Sequence, residues 1–302
     1  MSFLRYPHLE RLGNIEVEAI ELGTAYVFPK LDGTNASMWI NGVNRCYAFG
    51  SRNRELTREN DNAGFMNEML DSQMTSGYFD LLHDNPSLRL YGEWLVPHTL
   101  KDYRDDAWRK FYIFDVYDDS KDRFLTYDEY KPLLDKYKDV HYVPCIKIIK
   151  NGTREQFQHE IQHARFLLKD DAKFPEGIVI KNYQRENKFK RQTWAKIIGG
   201  EFKDDFHKHW GASELDNKPN EEVLIERIVT PQLVEKEYAK IVVEDDGWSS
   251  KAIPRLLETV FRCVVVEELY SCWRDIKYGT INGKSLKAFT IQRVKQLKPE
   301  LF

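Results

Sequence analysis

The sequence predicts an α+β fold in which an antiparallel-sheet domain over residues 1–204 precedes a small all-helical C-terminal domain over residues 205–302. Three observations predict it. Up to about residue 200, short β-branched and aromatic runs alternate with turn clusters. Beyond Gly199-Gly200 the apolar residues recur at helical spacing instead. A length of 302 residues also suits two domains better than one.

In chain order, Ala25–Phe28 and Ala36–Ile40 read as strands flanking the turn-forming Asp32-Gly33-Thr34-Asn35, a hairpin-like signal. Leu88–Val96, Phe111–Tyr117, Gly177–Lys181 and Trp194–Ile198 are further strand-like runs. Thr153–Leu168 reads as a helix, with Phe157, Ile161, Ala164 and Leu168 on one face. Residues 203–220 are rich in charge and poor in branched aliphatics, as a connector would be. Thr230-Pro231 offers an N-cap followed by a first-turn proline. A long second helix is expected to carry Leu257, Phe261, Val265, Leu269, Trp273 and Ile276 as an apolar stripe. Asn282-Gly283 then turns the chain into a last helical segment ending near Leu297.

With 42% hydrophobic, 13% aromatic and 31% charged residues, the chain can bury a sizeable core and is neither disordered nor fibrous. No stretch approaches the ~18–20 apolar residues of a membrane helix, and the opening residues lack a signal-peptide core. Cys46, Cys145, Cys263 and Cys272 form no C-x-x-C pair, so reduced, mostly buried thiols in a cytoplasmic protein are expected. A net charge of −3 excludes a uniformly basic coat, but a local basic groove remains compatible with it.

The most informative string is Lys30-Leu31-Asp32-Gly33. A lysine at a strand end, followed by an acid and a glycine, can present an amine to a phosphate. Lysine attacks only as the neutral amine, so such a site must work against an ordinary pKa near about 10.4. Alone the string says little, since a lysine before a turn is ordinarily solvated. Downstream, however, follow Gly50-Ser51-Arg52, Tyr91-Gly92-Glu93-Trp94, Phe111-Tyr112-Ile113-Phe114-Asp115, Glu176-Gly177-Ile178-Val179-Ile180-Lys181 and Trp194-Ala195-Lys196. Glu93, inside an otherwise apolar strand, is hard to explain as a solvated carboxylate.

In type, order and spacing these six strings resemble the motif set of the covalent nucleotidyltransferases, the polynucleotide ligases and mRNA capping enzymes. Within that superfamily the chain is most similar to RNA ligases of the RNA ligase 2 type, on Tyr6-Pro7-His8-Leu9-Glu10, the extended Lys30-Leu31-Asp32-Gly33-Thr34-Asn35 and the helical C-terminal pattern. The resemblance covers residues 6–200. It implies an ATP-grasp-like nucleotidyltransferase domain in which Lys30 attacks the α-phosphorus of ATP and holds AMP as a phosphoramidate. It implies that Asp32, Glu93 and Glu176 meet the ribose or Mg²⁺ (or Mn²⁺), directly or through water. Phe114 would stack on adenine, with Asp115 beside it in the pocket. Arg52, Lys181 and Lys196 would hold phosphates and offset transition-state charge. Asn35, Arg52, Lys188, Lys190 and Arg191 are the expected contacts to an RNA or RNA-containing duplex bearing 3′-OH and 5′-phosphate ends.

The chain departs from the pattern in two places. The last motif commonly holds two lysines at K-x-K spacing, whereas Ile198, or Trp194 in the other alignment, takes the second place here. Lys188 and Lys190 have the spacing but follow Glu176 by only 12 and 14 residues. Pro29, before the nucleophile, has no backbone N–H to offer the base. Between the last two motifs, Lys181, Arg185, Lys188, Lys190, Arg191 and Lys196 interleave with Tyr183, Phe189 and Trp194, a pattern suited to a phosphate backbone or to a solvated hairpin. His159-Glu160-Ile161-Gln162-His163 matches H-E-x-x-H. The metzincin continuation is absent and the two histidines oppose the apolar face, so chance explains the match better than zinc.

The expected protein is therefore a monomeric, cytoplasmic, ATP-dependent RNA ligase. A DNA ligase, a GTP-using capping enzyme and a nucleotide-sensing binding protein are the alternatives.

Overall fold

The computed structural model describes residues 2–42, 45–96, 102–172, 175–188, 190–199, 219–273 and 279–302. The described residues 2–96 and 102–199 belong to one compact unit, and those from 219 onward to a second. The connector expected at 203–220 lies outside the described residues except for its last two positions, and Phe189 and Ile276 lie outside them as well.

The first unit holds two sheets. One has the order β1 (Glu10–Arg11), β11 (Ala195–Ile198), β10 (Gly177–Lys181), β2 (Thr24–Pro29) and β9 (Lys147–Lys150). The other runs β4 (Tyr47–Ser51), β3 (Thr34–Ile40), β5 (Leu88–Leu95), β6 (Lys110–Asp118) and β7 (Arg123–Phe124), with β8 (His141–Tyr142) added beside β6. Pairing is antiparallel except for β1–β11 and β6–β8.

The expected hairpin of the first two long strands is corrected here, because β2 and β3 belong to different sheets. The Asp32-Gly33 step carries the chain from one sheet to the other. Its turn chemistry was visible, but the partner of each strand was not. A side chain at Gly33 would meet the Trp94 carbonyl at 2.5 Å, which requires glycine at this crossing.

Strand alternation sorts the first sheet into two faces. Ala25, Val27, Ile178, Ile180, Ala195 and Ile197 enter a small outer core with Phe157. Phe28, Val179 and Trp194 enter the large core between the sheets. On the second sheet, Met38, Phe49, Leu90 and Trp94 share that core with helices α1 (Phe65–Asp71) and α2 (Ser76–Asp84), the Phe65 ring lying 5.0–5.9 Å from those of Phe49, Trp94 and Phe111. Helix α3 (Tyr127–Leu134) begins with a capping box between Thr126 and Glu129 and packs Tyr127 edge-on against Phe28.

The helix expected over 153–168 is shorter. Helix α4 (Arg154–His159) tightens into a 3₁₀ turn over Glu160–His163, Leu167 takes a left-handed φ of 66°, and Leu168 forms a bridge with Tyr103. Phe157, Ala164 and Leu168 are buried as expected, yet only the first does so from a helix.

The described elements of the second unit are helices α5 (Asn220–Ile228), α6 (Pro231–Glu244), α7 (Ile253–Cys263), α8 (Leu269–Trp273) and α9 (Gly283–Leu297). Thr230 caps α6 through the Leu233 N–H, and Asn282 caps α9. The apolar stripe needs correction by one position. Leu256, Val260 and Val264 are the buried face, Leu257 and Phe261 flank it, and Val265 is 43% exposed. A π turn over Val264–Glu268 joins α7 to α8 and shifts the face by one residue, which a uniform 3.6-residue period does not anticipate. The cysteines also differ from expectation: Cys46 is exposed and the other three are partly buried, all unbridged. Among the described residues no helix is long and apolar enough to cross a membrane.

Two outcomes test these features. Gly177 has φ 152°, and a Cβ there would sit 2.1 Å from the Ile197 carbonyl. Gly177→Ala should therefore lower stability by roughly 2–3 kcal/mol through overpacking and strain, read as a lower urea midpoint. An unchanged midpoint would mean that β11 does not lie where described. The Arg123 guanidinium holds Glu129 down to about 2, from an ordinary 4.5, with further help from the Thr126 N–H. Because the folded value is depressed, its contribution is present above pH 4.5 and is lost as pH falls through about 2. Acid titration of Glu129→Gln should show a flatter stability loss across that window. The difference should be small, since both side chains are more than a third exposed.

Candidate active site

Lys30 follows β2, two residues beyond Phe28, so alternation brings it to the inter-sheet face. Its N–H donates to the Gly177 carbonyl at 2.9 Å, which prolongs the β2–β10 ladder by one step. Its Nζ lies 2.5 Å from Glu176 Oε1, with the two side chains 18% and 20% exposed. Glu176, which as the start of a strand could have been an ordinary solvated end, is the lysine's ion partner.

Asp32 lies on the crossing before β3, Asn35 on β3 and Glu93 on β5. The Gly33 N–H donates to Glu93 Oε1 at 3.0 Å, and the Asn35↔Glu93 pairing sets those two side chains on one face. Asn35 Oδ1 is enclosed without a hydrogen-bond partner among the described residues. Tyr103 joins this group, and nothing in its sequence surroundings singled it out. Its buried hydroxyl accepts the Asp32 N–H at 2.7 Å. Burial first, and then the fields of Glu176, Asp32 and Glu93, push the Tyr103 phenol well above its usual value. All three carboxylates act on this phenol in the same direction. They do not close into a ready metal cluster: among the described residues no three His, Cys, Asp or Glu are so grouped.

Phe114 owes its position to a β-bulge. Tyr91 pairs with Asp115 and Gly92 with Ile113, so Phe114 is the extra residue on β6. Its ring is partly buried, 4.9 Å from that of Tyr6. The ladder does not use its carbonyl, which accepts from Lys181 Nζ at 2.5 Å and from the Tyr130 hydroxyl at 3.3 Å. Asp115 is fully buried. It accepts from Tyr6 at 2.5 Å and from Trp194 Nε1 at 3.1 Å, and pairs with Lys181 at 2.8 Å. Burial disfavours both charges, pushing Asp115 up and Lys181 down, and their mutual attraction opposes both shifts. Lys181 also lies over the Phe28 ring, 4.5 Å from its centroid. This lysine is thus occupied inside the protein.

Arg52 follows β4, half-buried, and its charge is felt at the Tyr6 hydroxyl. Lys196 is buried on β11, paired with Val179, whose side chain enters the inter-sheet core. Trp194 and Ile198 share that face by alternation. Trp194, one of the two candidates for the absent second lysine, is a core residue bonded to Asp115. Lys188, Lys190 and Arg191 are exposed on the loop between β10 and β11, closed by the Asn187 N–H to the Arg191 carbonyl. The interleaved aromatics need correction: Tyr183 and Trp194 are buried and offer no stacking surface. His159 and His163 are exposed, and the Gln162 amide contacts both rings.

Comparison with the curated proteins finds no match. Among solved structures, the chain is similar to a mutant of Naegleria gruberi RNA ligase with ATP and Mn, at 23% identity and a TM-score of 0.49 over 69% of this chain. The same ligase with PPi gives 22% and 0.48, again over 69%. The chain spans 59% of the length of either. The family model for RNA ligase matches residues 23–198, more than half of the 302 residues and all of the motif strings from Lys30 to Lys196, and on that match the chain belongs to the RNA ligase family.

Proposed function

We propose that this chain is an ATP-dependent RNA ligase of the RNA ligase 2 type, joining a 3′-OH end to a 5′-phosphate end through a lysyl-AMP at Lys30. The observation that carries the reading is the Lys30–Glu176 ion pair at the end of β2, followed within three residues by Asp32 and by Gly33, whose N–H donates to Glu93.

In the first step the neutral Lys30 amine gives its lone pair to the α-phosphorus of ATP. The bond to the β-phosphate breaks, pyrophosphate leaves with the electron pair, and the amine releases a proton. In the second, an oxygen of the RNA 5′-phosphate attacks the same phosphorus and the P–N bond breaks back to the amine. In the third, the 3′-OH attacks the adenylylated 5′ phosphorus, loses its proton and expels AMP. Glu176 holds the Lys30 ammonium when no nucleotide is bound, and Phe114 stacks on the adenine. Lys196 and Arg52 offset phosphate charge, while Lys181 acts through the bulge by fixing the Phe114 carbonyl.

Glu176, Asp32 and Glu93 fit Mg²⁺ as hard oxygen donors. An ion that keeps several waters and binds mainly through nucleotide phosphates needs only one or two such carboxylates. When bound, it would neutralise developing phosphate charge. Asn35 and the exposed Lys188, Lys190 and Arg191 face the RNA. The domain of residues 205–302 engages the polynucleotide and takes no part in the first chemical step, since every motif residue precedes it. Four unbridged cysteines suit a reducing, cytoplasmic setting.

Label from ATP carrying ³²P at the α-phosphate should remain on the protein under denaturing conditions. It should vanish in Lys30→Ala and on chelation of divalent metal. Label that persists in Lys30→Ala would refute the nucleophile, and preferential labelling by GTP would favour a capping reaction. Phe114→Leu should cost about 1–3 kcal/mol of base affinity, seen as a raised ATP requirement. A lowered melting temperature with unchanged ATP affinity would assign Phe114 to the core instead.

A further inference from the structure

We propose that Arg11, on the short parallel edge strand β1, binds the β- and γ-phosphates of ATP together with Lys196, supplying the cation that the last motif lacks. The inference rests on the ligase reading above and adds to it the residue that receives the leaving pyrophosphate.

The argument is one of register. Arg11 pairs directly with Lys196, Lys196 with Val179, and Val179 with Phe28, so these four stand in one row across four strands. Paired residues share a face. Phe28 and Val179 face the inter-sheet core, and Leu9, two residues before Arg11, packs against it too. Leu12 packs instead against the outer core, as alternation requires. Arg11 and Lys196 are therefore side by side on the Lys30 face. Two residues along the strands, a second row on that face holds Ile198, Gly177 and Lys30.

Three strand spacings separate Arg11 from the strand of Lys30, about 14 Å between backbones. Two long side chains and the length of a triphosphate close such a gap. Lys181 on this face is buried against Asp115, and Lys30 is the nucleophile. Ile198 brings no charge. Two cations in register suit a polyanionic leaving group better than one, and a guanidinium fork matches phosphate oxygens two at a time. Nothing in the opening residues drew attention to Arg11, because its neighbour Lys196 is 185 positions away in sequence.

The test separates triphosphate from RNA. Arg11→Met keeps the apolar stem and removes the charge. It should raise KM for ATP in lysyl-AMP formation about tenfold, the loss of one charge-assisted contact. Sealing of a strand supplied already 5′-adenylylated, which needs no triphosphate, should stay within about twofold of wild type on the same scale. Arg11→Lys should recover most of the ATP affinity. Ile198→Lys in the Arg11→Met background should recover part of it, from the neighbouring row of the same face. An unchanged KM for ATP in folded Arg11→Met overturns the inference. Equal losses with ATP and with the adenylylated strand overturn it as well, assigning Arg11 to RNA or to the fold. Should Arg11→Met not fold, Arg11→Gln takes its place, and an unchanged KM for ATP in that variant would reject it. Failure of the wild-type chain to form any lysyl-AMP would reject the ligase reading itself, and this inference with it.

Discussion

The first unit is organised around one carboxylate that water does not reach. Asp115 takes hydrogen bonds from Tyr6, near the start of the chain, and from Trp194, near the unit's end, and it pairs with Lys181 on the opposite sheet. An ion pair withdrawn from solvent contributes little net stability, because desolvation consumes most of the attraction. Its effect is on geometry. Removing either member leaves an uncompensated buried charge, so an arrangement that keeps both is strongly preferred over any that separates them. Four segments distant in sequence are fixed by that preference. The same preference sets β10 against β6, and through β10 it places Glu176 within reach of Lys30.

The strands around the motifs were legible because β-branched and aromatic runs between turn residues leave few other choices. Phe114 could be read as a residue of interest, but its escape from the core could not. That depends on a mismatch between β5 and β6, and either strand alone looks regular. Tyr103 was invisible for a related reason: the fold brings its hydroxyl to the Asp32 N–H, with no spacing to betray it. The hairpin reading failed at Asp32-Gly33 because a turn specifies a change of direction and leaves the next partner open. Lys181 shows the limit in reverse, since the string identified the residue and only its burial showed that the charge is spent internally.

In the second unit the one-residue error in the apolar stripe has the same origin. Helical period is a local rule, and the π turn over Val264–Glu268 is a local exception that leaves no mark in residue types. Cap residues fared better. Thr230 bonds to the helix that follows it, since a cap is decided within four residues, and Asn282, read only as a turn, caps its helix too.

The bulge in β6 carries a consequence for what kinds of change this sheet can absorb. Opposite the eight residues of β5, β6 spends nine. The surplus one is Phe114, and the ladder would close without it, with Gly92 against Ile113 and Tyr91 against Asp115 as they already are. The aromatic ring proposed to stack on the base is thus supernumerary to the architecture that presents it. Shortening the strand by that single residue would leave the alternation on either side intact and make the sheet more regular while removing that ring. Regularity of the sheet and competence of the site are separate properties here, and they part at one residue.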